Sequence, residues 1–349
     1  MKVLKQVLGV DVAQKELVVT LGRINEDLSK ELYSYRVFRN KETGFVALLK
    51  WLKKETQENV SVQVIMEATG VYHQRFAFFL TENGVDLSIV LPNKISNYIR
   101  TLETKTVTDK TCSEAIAQFG LERKLESWTR PNQLYKTLQQ LTRERDQIVA
   151  ERVVIKNQLH AENTEYIPNL NSIKRLEARL KLMNKQELEI KNDIQKCIDK
   201  DNSVKKTIEN LQTIPGIGQL TAVTILAETN GFELIRNKKQ LTSYAGFDVK
   251  EKQSGTSVKG KPKISKRGNK HLRKCLHLPS LSAIKRSEVH KDLYVRIVSK
   301  SGVKMKALIA VQRKMLELTY VIFKNNTVFE QDYEAKKRVL LIKEDTLTS

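Results

Sequence analysis

Three acids, one serine and a dense run of cations are the residues of this 349-residue chain whose types and spacing could do chemistry. Asp11 follows the apolar run LGV, and Glu67 ends the run SVQVIM, so both are expected at the C-terminal ends of buried strands. Acids so placed point into one crevice of an α/β sheet, the usual place for its active site. Asp109 opens the helical stretch DKTCSEAIAQFG. Three converging carboxylates are hard oxygen ligands for one or two Mg²⁺ or Mn²⁺ ions, which stabilise charge on the attacking and leaving oxygens of a phosphodiester. The bland alternative for Asp109 is that it simply caps its helix. Ser254 lies beside Gly255 in KEKQSGTSVKGKPKISKRGNK, where neighbouring cations would offset charge on a phosphorane-like transition state; Ser257 and Ser265 are its rivals. His271, Cys275 and His277 lack a fourth ligand at zinc-finger spacing and stand among cations, so zinc is not expected there.

The charge distribution separates these groups. The net charge is +21, of which +3 falls on residues 1–130, +3 on 131–210 and +15 on 211–349. Lys259, Lys261, Lys263, Lys266, Arg267, Lys270, Arg273 and Lys274 follow one another without an acid. Such a cluster is the electrostatic footprint of a protein that neutralises a phosphate backbone and releases its counterions. The metal ligands and the cation-flanked nucleophile are therefore expected in different domains, which must meet within or between subunits before chemistry occurs. No run approaches the roughly 18 apolar residues of a membrane helix, and Asp11 interrupts the start before a signal-peptide core could form. Three widely spaced cysteines, Cys112, Cys197 and Cys275, read as reduced thiols of a cytoplasmic protein.

The elements that must position these groups follow from periodicity. Residues 5–11, 16–24 and 32–38 read as an antiparallel three-strand meander, followed by a helix over 41–54, a strand over 61–67, a helix over 72–83, a strand over 86–91 and helices to about Arg123. This is an α/β layer domain. Leu134, Leu138, Leu141, Ile148, Ile155 and Leu159 keep a heptad seam with Arg145 and Arg152 at its intervening positions. The seam resumes from Ile173 to Cys197 after a loop containing Pro168, so an antiparallel coiled-coil hairpin is expected, an arm for spacing or dimerisation. Pro215-Gly216-Ile217-Gly218 between two helical patterns reads as the turn of a helix-hairpin-helix, whose exposed amides, at Gly216 and Gly218, can hold a DNA phosphate.

The ordered motifs GVDVAQKELVV, VIMEATGVYH, TVTDKTCSEAIAQFG, TIPGIGQLTAVTILAE, LTSYAGF, KQSG and ISKRGNKHLRK together resemble the DEDD-type transposases of the bacterial insertion-sequence one-ten family, over nearly the whole chain. The resemblance implies a ribonuclease-H-like (RuvC-like) domain over 1–128, a coiled-coil linker over 129–205 and a mostly helical C-terminal transposase domain over 206–349. It implies that Asp11, Glu67 and Asp109 match the first three acids of the catalytic tetrad and Ser254 the nucleophilic serine. The fourth acid is replaced by Cys112, and Ser113 stands where alanine follows it; Glu114 lies about 200° around the helix from Cys112, a poor substitute. Also implied are double-stranded DNA as substrate, a structured guide RNA and dimers or tetramers that share catalytic sites. The rivals are a metal-dependent junction nuclease on the same fold, which would not need Ser254, and a nucleic-acid-binding protein without catalysis. An actin-like ATPase would need a glycine-rich phosphate loop where Val12-Ala13-Gln14-Lys15 stands.

Overall fold

A computed structural model describes residues 2–68, 70–102, 106–233, 235–251, 253–254, 258–260 and 263–331. The chain forms two compact units, Met1–Arg130 and Pro131–Ser349.

The first unit is built on β1 (Val3–Val12), β2 (Glu16–Asn25), β3 (Lys30–Arg39), α1 (Glu42–Glu55), β4 (Val62–Glu67), α2 (Gln74–Glu82), β5 (Leu87–Val90), α3 (Pro92–Ile99) and α4 (Asp109–Glu122). The strands form one mixed sheet in the order β3-β2-β1-β4-β5. The meander β1–β3 is antiparallel, while β4 runs parallel to β1 and β5 parallel to β4. Central strands β1 and β4 are buried through runs such as Gln6–Val10 and Val64–Met66, as expected where helices cover both faces. One face packs Leu8, Val10 and Val64 against Phe45, Leu48 and Trp51 of α1 and Phe76 of α2. The other packs Val7 and Ile65 against Ile95 of α3 and Ile116 of α4.

The approach of α4 to this second face is set by glycine. A Cβ on Gly9 of β1 would stand 2.4 Å from both the Ala117 nitrogen and the Ser113 carbonyl oxygen, backbone atoms that cannot turn aside. A Cβ on Gly120 of α4 would likewise collide with Ile65 and Val7. Because Gly120 sits over Val7 and Ile65 while Ser113 and Ala117 sit over Gly9, α4 runs opposite to β1. Its N-terminus therefore lies beside Asp11.

The second unit begins with two long helices, α5 (Gln133–Thr164) and α6 (Leu170–Asp199), which pack on one another. Arg145 and Arg152 of α5 converge on Glu187 of α6, which Lys191 also reaches at 3.1 Å. Burial alone would push Glu187 up, yet these cations hold its carboxyl below the usual range. The polar layer fixes the register of the two helices, because any slip would leave Glu187 buried without its partners.

Next come α7 (Asn202–Gln212), α8 (Gln219–Glu228) and α9 (Lys238–Ala245). Two short ribbons follow, β6 (Val249–Lys250) with β9 (Lys263–Ile264), and β7 (Gln253–Ser254) with β8 (Val258–Lys259). The unit ends with α10 (Lys270–Cys275), α11 (His277–Arg286), α12 (Glu288–Ser301) and α13 (Lys304–Asn325). One core joins the base of the long helices (Leu138, Ile194, Ile198) to Val223 and Leu226 of α8, Leu241 of α9 and Met315 of α13. Among the described residues, no helix is long and apolar enough to cross a membrane.

Candidate active site

Asp11 and Glu67 meet because of strand register. Val10 of β1 is paired with Met66 of β4, so the next positions of these parallel strands are Asp11 and Glu67. Side chains two apart share a sheet face. Asp11 therefore shares the face of Gly9, and Glu67 that of Ile65, which is the face covered by α4. Its N-terminus brings Asp109 and, one turn on, Cys112.

The electrostatics register this convergence. Burial pushes the Asp11 carboxyl up to about 6, with repulsion from Asp109 and Glu67 adding to it and the Val12 amide opposing. Burial also raises Glu67. The Cys112 thiol is raised by burial and then by the charges of Asp11, Glu67 and Asp109, so it stands in the same field. Among the described residues, no Lys or Arg forms an ion pair with Asp11, Glu67 or Asp109.

Asp109 is not the cap of α4. Thr108 is: its hydroxyl accepts from the Thr111 amide, and the Thr111 hydroxyl accepts from the Thr108 amide, a closed capping box. This overturns the bland alternative and leaves the exposed carboxylate of Asp109 free of a capping task. Ser113, in contrast, is buried and bonded at 2.7 Å to the Thr20 hydroxyl, so it belongs to the helix–sheet interface. Glu114 pairs with Lys110 at 3.9 Å and is not among the charges acting on Asp11 or Cys112.

Asp11, Glu67 and Asp109 suit a hard divalent ion in donor type and in charge, since their mutual repulsion is what such an ion would relieve. Among the described residues, no three His, Cys, Asp or Glu side chains are drawn together closely enough to hold one.

In the second unit, the backbone of Ser254 pairs with Val258 between β7 and β8. Its side chain and that of Lys259 are outside the described residues, as are Ser257 and Lys261. Ser265 donates to Asp248 at 2.6 Å and accepts from the Arg267 amide, so its hydroxyl is engaged in holding the loop. Lys263, Lys266, Arg267 and Lys270 are exposed. Arg273 instead donates to the carbonyls of Ala245 and Gly268, and Lys274 pairs with Asp146 at 3.1 Å, so both act partly within the fold. Gly216 has a packing reason too: its φ is +91°, and a Cβ there would meet the Pro279 carbonyl oxygen at 2.4 Å. Gly218 caps α8 and faces open space.

Sequence reasoning missed Glu228, whose side chain is 0% exposed. Arg143 of α5 forks onto it with bonds of 2.7 and 2.8 Å, and Asn269 donates to it at 2.6 Å. Tyr244 donates its hydroxyl to the Glu228 carbonyl at 2.8 Å. Asn269 simultaneously accepts the His271 and Leu272 amides at the start of α10. This hub ties TILAE, YAGF and RGN together and holds the lysine segment at the end of α9. The available signal was a lone acid closing an otherwise uncharged helix, QLTAVTILAE.

A mixed sheet with carboxylates converging at its strand ends, on one chain with a basic helical unit, is the layout of a nucleic-acid-processing enzyme. Residues 8–168 match the DEDD transposase model of IS110, and residues 208–295 match the Transposase IS116/IS110/IS902 family. The chain belongs to this transposase family, and its activity class is DNA transposase/recombinase. It is 24% identical over 329 residues to the pilin gene-inverting protein of Moraxella lacunata, covering 94% of this chain and 98% of that one. It is 25% identical over 296 residues to the transposase for insertion sequence element IS1111A of Coxiella burnetii, covering 78% of this chain and 76% of that one. Among solved structures it is similar to Thermus thermophilus RuvC in complex with Holliday junction substrate, at 12% identity and a TM-score of 0.27, covering 35% of this chain and 99% of that one.

Proposed function

We propose that this transposase is a site-specific recombinase that breaks and rejoins double-stranded DNA by serine attack, with Asp11, Glu67 and Asp109 as ligands of a divalent cation. The Ser254 oxygen forms a bond to phosphorus as the bond to the departing strand's hydroxyl oxygen breaks, and the serine proton passes to that leaving oxygen. The phosphoserine ester keeps the energy of the broken linkage, so another strand's hydroxyl can reopen it without ATP. Mg²⁺ or Mn²⁺, when bound, supplies charge neutralisation at the scissile phosphate. Lys259, Lys261, Lys263, Lys266, Arg267 and Lys270 hold the DNA backbone, with Gly218 offering the amide end of α8, in the role of a helix-hairpin-helix. Guidance by a structured RNA, assembly as dimers or tetramers and a cytoplasmic location complete the reading, on the strength of the family motifs.

One observation carries the catalytic part: the register of β1 on β4 and the seating of α4 on Gly9 set Asp11, Glu67 and Asp109 at one end of the sheet, where burial and the charges of Asp109 and Glu67 push Asp11 up to about 6. The test is strand joining and covalent protein–DNA adduct formation by the full chain. Both are expected to vanish in Ser254→Ala and in Asp11→Asn. DNA cleavage that persists in Ser254→Ala without joining or adduct overturns the serine step in favour of a water-using junction nuclease, and unchanged transposition in Asp11→Asn with Glu67→Gln leaves a binding protein.

Cys112 supports a second reading, a catalytically weakened copy, because a protonated thiol stands in the carboxylate field where the family carries its fourth acid. A tenfold or greater rise in joining by Cys112→Asp supports the weakened copy; a smaller change supports a three-carboxylate site.

A further inference from the structure

A second basic surface lies outside the lysine segment. Lys238 and Lys239, in the first turn of α9, and Lys324 and Asn325, at the end of α13, line a groove of about 620 Å³ floored by Tyr320 and Val321. No acid lines it. Among the described residues, none of Lys238, Lys239 and Lys324 forms an ion pair, although exposed lysines elsewhere in the unit do so, as Lys196 and Lys205 do. Three exposed cations gathered around a part-apolar trough make it complementary to an anionic occupant, with the apolar floor offering contact beside the charge.

The groove has a fixed relation to the lysine segment, because α9 connects them. At the other end of α9, Gly246 accepts the Lys266 amide at 3.1 Å, Tyr244 accepts the Asn269 amide at 2.7 Å, and Ala245 accepts from Arg273 at 2.8 Å. The eight residues of α9 span about 12 Å at 1.5 Å per residue. One strand of a duplex advances about 3.4 Å per phosphate, so this ruler covers three to four consecutive phosphates. Sites held rigidly apart favour a ligand that is itself stiff over that distance, as duplex DNA is and single-stranded RNA is not.

We infer that the groove between α9 and α13 is a second phosphate-backbone site for duplex DNA, engaged three to four phosphates away from the lysine segment along α9. The inference rests on the proposed DNA-binding role of that segment. The aliphatic lysine stems and the Tyr320–Val321 floor would seat deoxyriboses while the ammonium groups take the phosphates.

The experiment measures the affinity of the full chain for a 30-base-pair duplex as a function of salt. The variants are Lys238→Gln/Lys239→Gln/Lys324→Gln, Lys266→Gln/Arg267→Gln, and Lys53→Gln/Lys54→Gln as a surface control. The groove variant is expected to bind at least tenfold more weakly, equally for unrelated sequences. Its plot of log affinity against log salt should flatten by about 0.9 for each phosphate that the protein no longer neutralises. Lys→Arg substitutions at the same three positions should restore both, which separates a charge effect from misfolding. An unchanged salt slope in the groove variant, with a reduced slope in the segment variant, overturns the groove and spares the DNA-binding reading. Unchanged binding in both overturns that reading itself. Loss confined to a single-stranded RNA of equal length, with duplex binding intact, also overturns the assignment.

Discussion

Two carboxylates of this protein, Asp11 half-buried and Glu228 buried, answer the same desolvation cost in opposite ways. Asp11, at the end of β1, is surrounded by other acids and is pushed up to about 6 by burial, Asp109 and Glu67. Glu228, at the end of α8, is more deeply buried, yet Arg143 and Asn269 outweigh the desolvation and hold its carboxyl below the usual range. The second acid is satisfied by the fold and serves it. The first is left in an unfavourable field, as expected of a group whose partner arrives from outside. A buried acid thus shows its role through the sign of its surroundings rather than through its depth.

The comparison breaks most visibly in activity. Asp11→Asn or Glu67→Gln should lower strand joining by about 10³-fold or more, since metal-assisted charge stabilisation is worth several kcal/mol. In the same Asp11→Asn protein the metal-free fold should be more stable at pH 7, by a melting-temperature rise of about 2–4 °C for ~1 kcal/mol. The sign follows from linkage: Asp11 binds its proton more tightly in the folded state, so metal-free wild type gains stability as pH falls from about 6 towards 4. A lower melting temperature in Asp11→Asn at pH 7 would sink the claim that this acid is strained.

Arg143→Ala should act in the opposite way, costing about 2–3 kcal/mol in denaturant unfolding. That is below the range for a fully buried pair, because the Arg143 side chain is 43% exposed. Glu228 contributes stability in wild type above its ordinary pKa, and that stability is lost as pH falls; in Arg143→Ala, where Asn269 still donates to the carboxylate but its charge partner is gone, this loss on acidification should be smaller. Gly9→Ala, which drives a Cβ into the backbone of α4, should cost about 1–3 kcal/mol. It should also reduce joining beyond what the stability loss explains, since α4 carries Asp109. The smallest effect is expected for Glu114→Gln: within about 0.5 kcal/mol in stability and without change in joining. A substantial loss there would mean that Glu114, not Cys112, completes the acid set.

Much of this was legible in local pattern. The strands ending in Asp11 and Glu67, the helix opening at Asp109 and the two long helices are where periodicity places them, because burial on one face imposes its repeat on the chain. Arg145 and Arg152 stood out in the apolar repeat of α5, but their partner Glu187 did not. Glu228 was overlooked for the same reason: a single acid in a helix reads as a surface group until its neighbours from α5 and the RGN segment are in place. The role of Thr108 as the cap, in place of Asp109, was also hidden, since either residue type can cap a helix and only the backbone turn chooses.

By itself, then, the sequence determined the order of strands and helices, the +15 of charge carried after residue 210 and the motifs that identify the transposase family. These are properties of residue type and spacing along the chain. The tertiary structure alone decided that Asp11, Glu67, Asp109 and Cys112 share one field, through the register of β1 on β4 and the close seating of α4 on Gly9. It also decided that Glu187 and Glu228 are internal anchors. The energy of a buried charge depends on which groups surround it in space, and those groups come from elements far apart in the chain.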